Sequence, residues 1–218
     1  AQVQWEDLSI ALLDTPGHVD FCAEMERTLQ VLDYAILVIS APDGVQNHTR
    51  TLWQLLEFYK VPTFIFVNKT DIAMKRGEDM AAALGRQLSP LCVPFFEKQT
   101  KAELDERLAM VNEDFLETVL AGDTIDESDV ATLISERRLF PCLFGSALKM
   151  VGIDFFLDTI DKYMLSPVYD TTTFGAKVYK IARASGTRLT YLKVTGGVLS
   201  ARDELTYLAE DGRRMTEK

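Results

Sequence analysis

The stretch that decides the fold is Leu12–Phe21, which reads Leu-Leu-Asp-Thr-Pro-Gly-His-Val-Asp-Phe. An apolar run is followed directly by Asp14 and then by a turn, which predicts a strand that stops on a carboxylate. Ligands of open α/β folds bind at the carboxyl ends of parallel strands. Pro16 restricts its own φ, and Gly17 lets the backbone approach a ligand closely. We therefore expect the Gly17 amide to face a phosphate with His18 beside it, and Asp14 to hold Mg²⁺ directly or through water. The alternative is an ordinary tight turn after a buried strand.

The composition is that of a soluble globular protein, with 47% hydrophobic and 26% charged residues. No apolar run reaches the ~18–20 residues of a membrane-spanning helix, and no signal peptide stands at the start, so we expect no membrane contact. The well-separated cysteines Cys22, Cys92 and Cys142 indicate free thiols in a reducing cytoplasm. The net charge of −10 disfavours a surface that binds nucleic acid through general electrostatics. DNA is therefore not expected as a partner, and any contact with RNA would have to be local.

Apolar runs alternate with helical patterns over the first 165 residues. The runs Tyr34–Ser40 and Val61–Val67 are continuous, as expected for strands buried on both faces, and 139–144 is a further strand. Residues 18–32 and 78–88 have helical periodicity between the strands. The alternation predicts an α/β fold with a mostly parallel sheet, helices on both faces and right-handed crossovers.

The section from residue 89 to residue 138 departs from this alternation. A helical stripe from Leu104 to Val119 predicts one helix that Gly122 ends, and 126–138 reads as a second, acidic helix. We interpret this section as a helical insertion packed on one side of the sheet. The alternative is an ordinary extra helical layer.

Beyond Pro167 the pattern changes to short alternating strands with glycines at the turns. The predicted strands are 174–181, 188–194 and 204–209. We expect residues 166–218 to begin a β-barrel domain, because they are fewer than a closed barrel normally needs. The predicted organisation is therefore a first domain over 1–165 and the start of a second over 166–218.

The tetrapeptide Asn68-Lys69-Thr70-Asp71 follows a buried strand and suits the reading of a purine base. The two carboxylate oxygens of Asp71 match the N1–H and N2–H₂ donors of guanine, a pair that adenine lacks. Asn68 can bridge neighbouring loops and hydrogen-bond the base, and the stem of Lys69 can lie on the purine face. The alternative is a polar corner between strand and loop.

A third motif follows the last predicted strand of the first domain. The backbone amides of Ser146 and Ala147 can meet the guanine O6, and Lys149 can cover the ring. Asp-x-x-Gly, Asn-Lys-x-Asp and Ser-Ala-x-Lys thus occur in this order, each at the predicted carboxyl end of a strand. Chance agreement of all three with the strand pattern is improbable.

Residues 12–149 resemble the G domain of translational GTPases. The sequence Asp14-Thr15-Pro16-Gly17-His18 is the form found in elongation factors, and the long interval from Asp71 to Ser146 resembles the inserted subdomain of elongation factor G relatives. Residues 43–52 are most similar to tetracycline-resistance ribosomal-protection proteins. Residues 175–181 resemble the barrel domain of the same proteins.

The resemblance implies a mechanism and a set of partners. GTP or GDP would bind with Mg²⁺, Asp14 would hold the metal through water, and residues 14–17 would sense the γ-phosphate as a switch. His18 would be catalytic by orienting the attacking water on the ribosome. Ribosomal RNA and ribosomal proteins are the implied partners of a cytoplasmic protein, which we expect to be a monomer.

One departure from the family pattern is large. The chain has no Gly-x-x-x-x-Gly-Lys-Ser/Thr, so the phosphate loop and first switch are expected before Ala1, and residues 1–218 alone are expected to be inactive. Two alternatives to a ribosomal-protection protein stay open. One is ordinary elongation factor G or a class II peptide-chain release factor, and the other is a GTP-sensing scaffold that does not hydrolyse nucleotide.

Overall fold

The computed structural model of the chain describes residues 1–6, 8–15, 22–74, 77–184, 186–208 and 212–217. The chain divides into two compact units, Ala1–Ser166 and Pro167–Lys218. No helix among these described ranges is long and apolar enough to cross a membrane.

The first unit contains seven α-helices and six strands within its described residues. In chain order they are β1 Gln2–Trp5, β2 Leu8–Ala11, α1 Cys22–Leu29, β3 Ala35–Ser40, α2 Asn47–Phe58, β4 Thr63–Asn68, α3 Gly77–Gln87, β5 Cys92–Pro94, α4 Lys101–Ala109, α5 Glu113–Leu120, α6 Glu127–Ser135, β6 Phe140–Phe144 and α7 Ile153–Tyr163. A short 3₁₀ helix, Thr70–Ile72, follows β4.

Four of these strands form a parallel sheet in the order β3-β4-β6-β5, so the predicted α/β fold is confirmed. The central strand β4 is buried along its length except at Asn68. Its residues Phe64 and Phe66 pack into a core with α4 to α7, whereas Ile65 and Val67 pack into a second core with α2 and α3. Helices therefore cover both faces of the sheet.

The prediction that the Tyr34–Ser40 strand is buried on both faces is wrong. Along β3, Leu37 and Ile39 are buried, but Ile36 is 38% and Val38 is 57% exposed. Edge position alone does not explain this, because β5, the other edge strand, packs into the cores on both faces; the described residues simply leave one face of β3 uncovered. Only the face that meets α2 and α3 is covered by the described residues.

The strand predicted over residues 8–14 ends earlier and pairs elsewhere. It stops at Ala11 and forms an antiparallel hairpin with β1, in a two-stranded sheet of its own. Glu6 at the turn has a φ of +45°, the left-handed conformation that tight hairpin connections use. The expectation that Asp14 stands at the end of a strand of the parallel sheet is therefore wrong, since local hairpin pairing takes this strand away from it.

The section from residue 89 to residue 138 also differs from the prediction. Cys92–Pro94 pairs in parallel with β6 and forms an edge of the sheet, so the sheet continues into this section. The single helix predicted from Leu104 to Val119 is two helices, α4 and α5. The Asn112 side chain accepts a hydrogen bond from the Phe115 amide at 2.9 Å and starts α5 there.

The second unit contains two antiparallel strand pairs. The strand β7 (Gly175–Ala184) pairs with β8 (Thr187–Gly196), and β9 (Leu205–Leu208) pairs with β10 (Arg214–Glu217). Sequence reasoning predicted the first three of these strands and missed β10. Antiparallel strands joined by short turns are typical of the start of a barrel.

Candidate functional site

The polar motifs of the first unit meet at the carboxyl edge of the parallel sheet. Ser40 at the end of β3 stands in register with Asn68 at the end of β4, and Val67 stands in register with Phe144 at the end of β6. The chain after β4 and the chain after β6 therefore leave the sheet side by side. This edge is where open α/β sheets bind ligands.

The side chain of Asn68 joins these two loops. Its Oδ1 accepts a hydrogen bond from the backbone amide of Lys69 at 2.8 Å and another from that of Ala147 at 2.9 Å. A backbone bond from the Thr70 amide to the Gly145 carbonyl, at 3.1 Å, lies beside them. One amide oxygen thus fixes the start of Asn68–Asp71 against the start of Ser146–Lys149. We call the two segments the guanine loops, after the base that the sequence predicts for them.

The chain turns sharply after Asn68. Lys69 has a φ of +63°, in the left-handed region, and precedes the short 3₁₀ helix that contains Asp71. Lys69, Asp71 and Lys149 are all exposed. Their side chains make no hydrogen bond or ion pair with the residues that the structure describes, which leaves a carboxylate and two ammonium groups open to solvent beside Asn68.

The loop after β6 is held tightly by its own backbone. The amides and carbonyls of Ser146 and Val151 exchange hydrogen bonds of 2.9 and 3.0 Å. Ser146 is 1% exposed, whereas Ala147 points its backbone at Asn68 and is exposed. The Ser146 and Ala147 N–H groups, both predicted from the sequence to meet guanine O6, thus already have acceptors within the protein, the Val151 carbonyl and Asn68 Oδ1.

Sequence reasoning did not single out two glycines that this loop requires. A Cβ on Gly145 would lie 2.4 Å from the carbonyl oxygen of Val151. Gly152 has a φ of +73°, and a Cβ there would lie 2.6 Å from the carbonyl oxygen of Phe144. Their positions on either side of the hexapeptide 146–151 were the available signal, because a closed loop after a strand often needs glycine at its base.

Of the remaining predicted residues, the structure describes Asp14 and Thr15, and neither makes a hydrogen bond or ion pair with the guanine loops. Asp14 is exposed and Thr15 half-buried, just past the β1–β2 hairpin. Pro16, Gly17 and His18 lie outside the described residues. No group of three or more metal-ligating side chains occurs in the part of the chain that the structure describes.

Two cavities in the first unit are lined by other residues. One, of about 550 Å³, is lined by Trp53, Arg137, Phe140 and neighbouring residues at the amino ends of the strands. The other, of about 150 Å³, lies between residues 39–45 and α3. None of the six predicted guanine-binding residues lines either cavity.

The arrangement can recognise a planar base with adjacent N–H donors. The Asp71 carboxylate offers two acceptors, the Ala147 amide is fixed close by, and the stems of Lys69 and Lys149 can cover a ring. The guanine loops contain no row of backbone amides aimed at a phosphate. They are therefore suited to the base and not to the charged end of a nucleotide.

Comparison with known proteins identifies the family of the first unit. Residues 1–166 match the family described as "Elongation factor Tu GTP binding domain". The chain is 34% identical to tetracycline resistance protein TetM from transposon Tn5251 of Streptococcus pneumoniae, over 98% of this chain and 36% of that protein. It is 33% identical to tetracycline resistance protein TetW of Butyrivibrio fibrisolvens and 30% identical to TetO of Campylobacter coli, with the same coverage.

A solved structure shares the fold. A crystal structure of a protein from Thermus thermophilus superposes with a TM-score of 0.79 at 21% identity, over 99% of this chain and 39% of that one. The chain thus spans little more than a third of the length of the relatives it matches. These matches confirm the resemblance predicted from the three motifs.

Proposed function

Because the chain belongs to the family of the elongation factor Tu GTP-binding domain, we propose that the protein containing it binds and hydrolyses GTP on the ribosome. The observation that carries this proposal is the junction of the guanine loops at Asn68, whose oxygen accepts from the amides of Lys69 and Ala147. That junction ties the loop that carries Asp71 to the loop that carries Ala147 at the carboxyl edge of the sheet.

The guanine loops select the base. Asp71 accepts from N1–H and N2–H₂ of guanine. The Ala147 N–H, which donates to Asn68 Oδ1 in this structure, turns to O6 or is shared with it when the base binds. Lys69 and Lys149 cover the ring with their methylene stems. Adenine has no pair of donors for Asp71, so it would leave a carboxylate desolvated and unmatched.

Residues 14–18 serve the phosphates and the reaction. Mg²⁺ binds proteins through one or two carboxylates together with substrate phosphates, and an exposed Asp14 with no cage of ligands among the described residues fits that mode. Mg²⁺ supplies neutralisation of the phosphate charge when it is bound. The Gly17 amide senses the γ-phosphate, with Thr15 and Pro16 in the same switch, and His18 orients the attacking water.

We further propose that the protein is a ribosomal-protection protein, acts as a cytoplasmic monomer and contacts ribosomal RNA and proteins. The support is identity of 30–34% with TetM, TetW and TetO, each named as a tetracycline resistance protein. The alternative within the family is a general factor of the elongation factor G or class II release factor type. A non-hydrolysing scaffold is less well supported, because Asp14 and His18 are both present.

The test is multiple-turnover GTP hydrolysis by the full-length protein with and without ribosomes. We expect ribosomes to stimulate turnover, and His18→Ala to lower the stimulated rate about 10²-fold while GDP affinity changes little. A rate independent of ribosomes, or unaffected by His18→Ala, would contradict the proposal. Release of labelled tetracycline from ribosomes by the same protein separates a protection protein from a general factor.

A further inference from the structure

Two stacked aromatic rings lie beneath the guanine loops. The rings of Phe96 and Phe144 have centroids 5.3 Å apart and planes inclined by 22°. Phe144 is the last residue of β6 and directly precedes Gly145, Ser146 and Ala147. Phe96 comes from the segment after β5. The position of the Phe96 ring is therefore linked to the residue from which the second guanine loop starts.

The same ring also packs against the helix that follows the first guanine loop. Gly77 is the first residue of α3, and a Cβ built on it would lie 2.7 Å from Cε1 of Phe96 and 3.8 Å from Cγ of Phe144. Glycine at this position thus allows the helix start to lie directly on the ring. One aromatic pair consequently touches the elements attached to both loops.

Arg107 contacts both the Phe96 ring and the first turn of α3. Arg107 of α4 places its Cζ 5.0 Å from the centroid of the Phe96 ring. Its Nη1 and Nη2 donate to Oε2 and Oε1 of Glu78 in the first turn of α3, at 3.0 and 2.7 Å. The two parallel bonds to Glu78 raise the pKa of Arg107 above its ordinary value.

We propose that Arg107 is a positioning residue for guanine recognition. Through Glu78 it holds the start of α3, which follows Asp71, and through Phe96 it holds Phe144, which precedes Ala147. The helical section of the first unit thereby sets the spacing between the carboxylate and the amide that read the base. This inference rests on the proposed binding of guanine nucleotides.

The geometry distinguishes this ion pair from an ordinary surface pair. Exposed pairs contribute little when two flexible side chains meet in water. Here the guanidinium is held in fork geometry and lies over an aromatic face, and the Arg107 side chain is only 27% exposed. Lysine cannot reproduce the two parallel bonds, so Arg107→Lys would not preserve the arrangement.

The ratio of the affinities for GDP and inosine diphosphate is a readout that a loss of stability alone would not change. The two nucleotides differ only in the 2-amino group, which is a donor to Asp71 in guanine. Displacement of the loops weakens the contact to O6 in both nucleotides but the contact to the 2-amino group in GDP alone. Loss of positioning therefore lowers the affinity ratio of GDP to inosine diphosphate, whereas partial unfolding lowers both affinities equally.

The experiment measures both dissociation constants for the full-length protein and its variants. For Arg107→Ala we expect the ratio of GDP affinity to inosine diphosphate affinity to fall about fivefold. Arg107→Lys should lower the same ratio by a similar factor. Glu78→Gln keeps an exposed side chain of the same size and should lower the ratio in the same direction. The control is Arg138→Ala, which removes a side chain that is 57% exposed and whose Nη1 lies 3.4 Å from Glu136. The affinity ratio of this variant should equal that of the wild type.

The outcomes separate this inference from the proposed function. If wild-type protein does not prefer GDP to inosine diphosphate, the proposed guanine recognition is wrong. If it does, and folded Arg107→Ala and Glu78→Gln both keep the wild-type ratio, the positioning role is wrong. Should Arg107→Ala fail to fold, Glu78→Gln decides alone.

Discussion

At the scale of residues, a single side-chain oxygen of Asn68 joins the two guanine loops. One side-chain oxygen accepts from its neighbour's amide and from Ala147, so a residue that a motif search assigns to the base also fixes the distance between the two loops. The sequence predicts both roles for this residue type. It does not predict the tight loop of Ser146 and Val151 or the glycines at its base, because those depend on close backbone approach and not on side-chain chemistry.

Replacement of Asn68 tests this junction. We expect Asn68→Ala in the full-length protein to weaken GDP binding about tenfold, since two solvent-exposed amides lose hydrogen bonds that contribute about 0.5–1.5 kcal/mol each. Asn68→Asp keeps an acceptor oxygen and should lose less. Titration with fluorescent GDP gives both values, and equal losses in the two variants would show that the amide oxygen does not hold the loops.

At the scale of elements, long and strongly patterned segments could be predicted and short ones could not. The buried strand β4 and the helix α3 lie within a residue or two of their predicted bounds. The three-residue strand β5 contains Pro94 and is too short to show an alternating hydrophobic pattern. The exposure of one face of β3 and the pairing of β2 with β1 are decided by neighbours in space.

The break between α4 and α5 shows how one polar side chain overrides a continuous apolar stripe. The apolar spacing from Leu104 to Val119 suits a single helix, but Asn112 satisfies the Phe115 amide and begins a new one. The α4 helix starts in a related way, with a reciprocal capping box between Thr100 and Glu103. Capping groups thus divide this section where periodicity alone does not.

Removal of the Asn112 cap should have a measurable cost. We expect Asn112→Ala to lower the free energy of unfolding by about 1 kcal/mol, and Asn112→Asp to stay close to the wild type. Asn47→Ala, in the first turn of α2, is a matched control because its side chain makes no hydrogen bond with the described residues. Denaturant titration followed by circular dichroism measures all three, and a stability of Asn112→Ala equal to the wild type would contradict the capping role.

At the scale of the whole molecule, the chain carries the residues proposed to read the base but no phosphate-loop sequence. A phosphate loop would supply several charge-assisted hydrogen bonds of about 1.5–3 kcal/mol each. We therefore expect a protein of residues 1–218 alone to bind GDP at about 100 µM or more weakly and to hydrolyse no GTP. Tight, magnesium-dependent binding of GDP to residues 1–218 would show that phosphate is held by other groups in this chain.

A change of nucleotide preference in Asp71→Asn would test directly whether the guanine loops read the base through Asp71. Full-length wild-type and Asp71→Asn proteins should be compared for hydrolysis of GTP and xanthosine triphosphate on ribosomes. The new side-chain amide can donate to the C2 oxygen of xanthine, but it offers guanine only one acceptor. We therefore expect the preference of the variant to move from GTP to xanthosine triphosphate. Sites of this kind discriminate by roughly 10⁴-fold. An Asp71→Asn protein that still prefers GTP as strongly as the wild type would contradict the account.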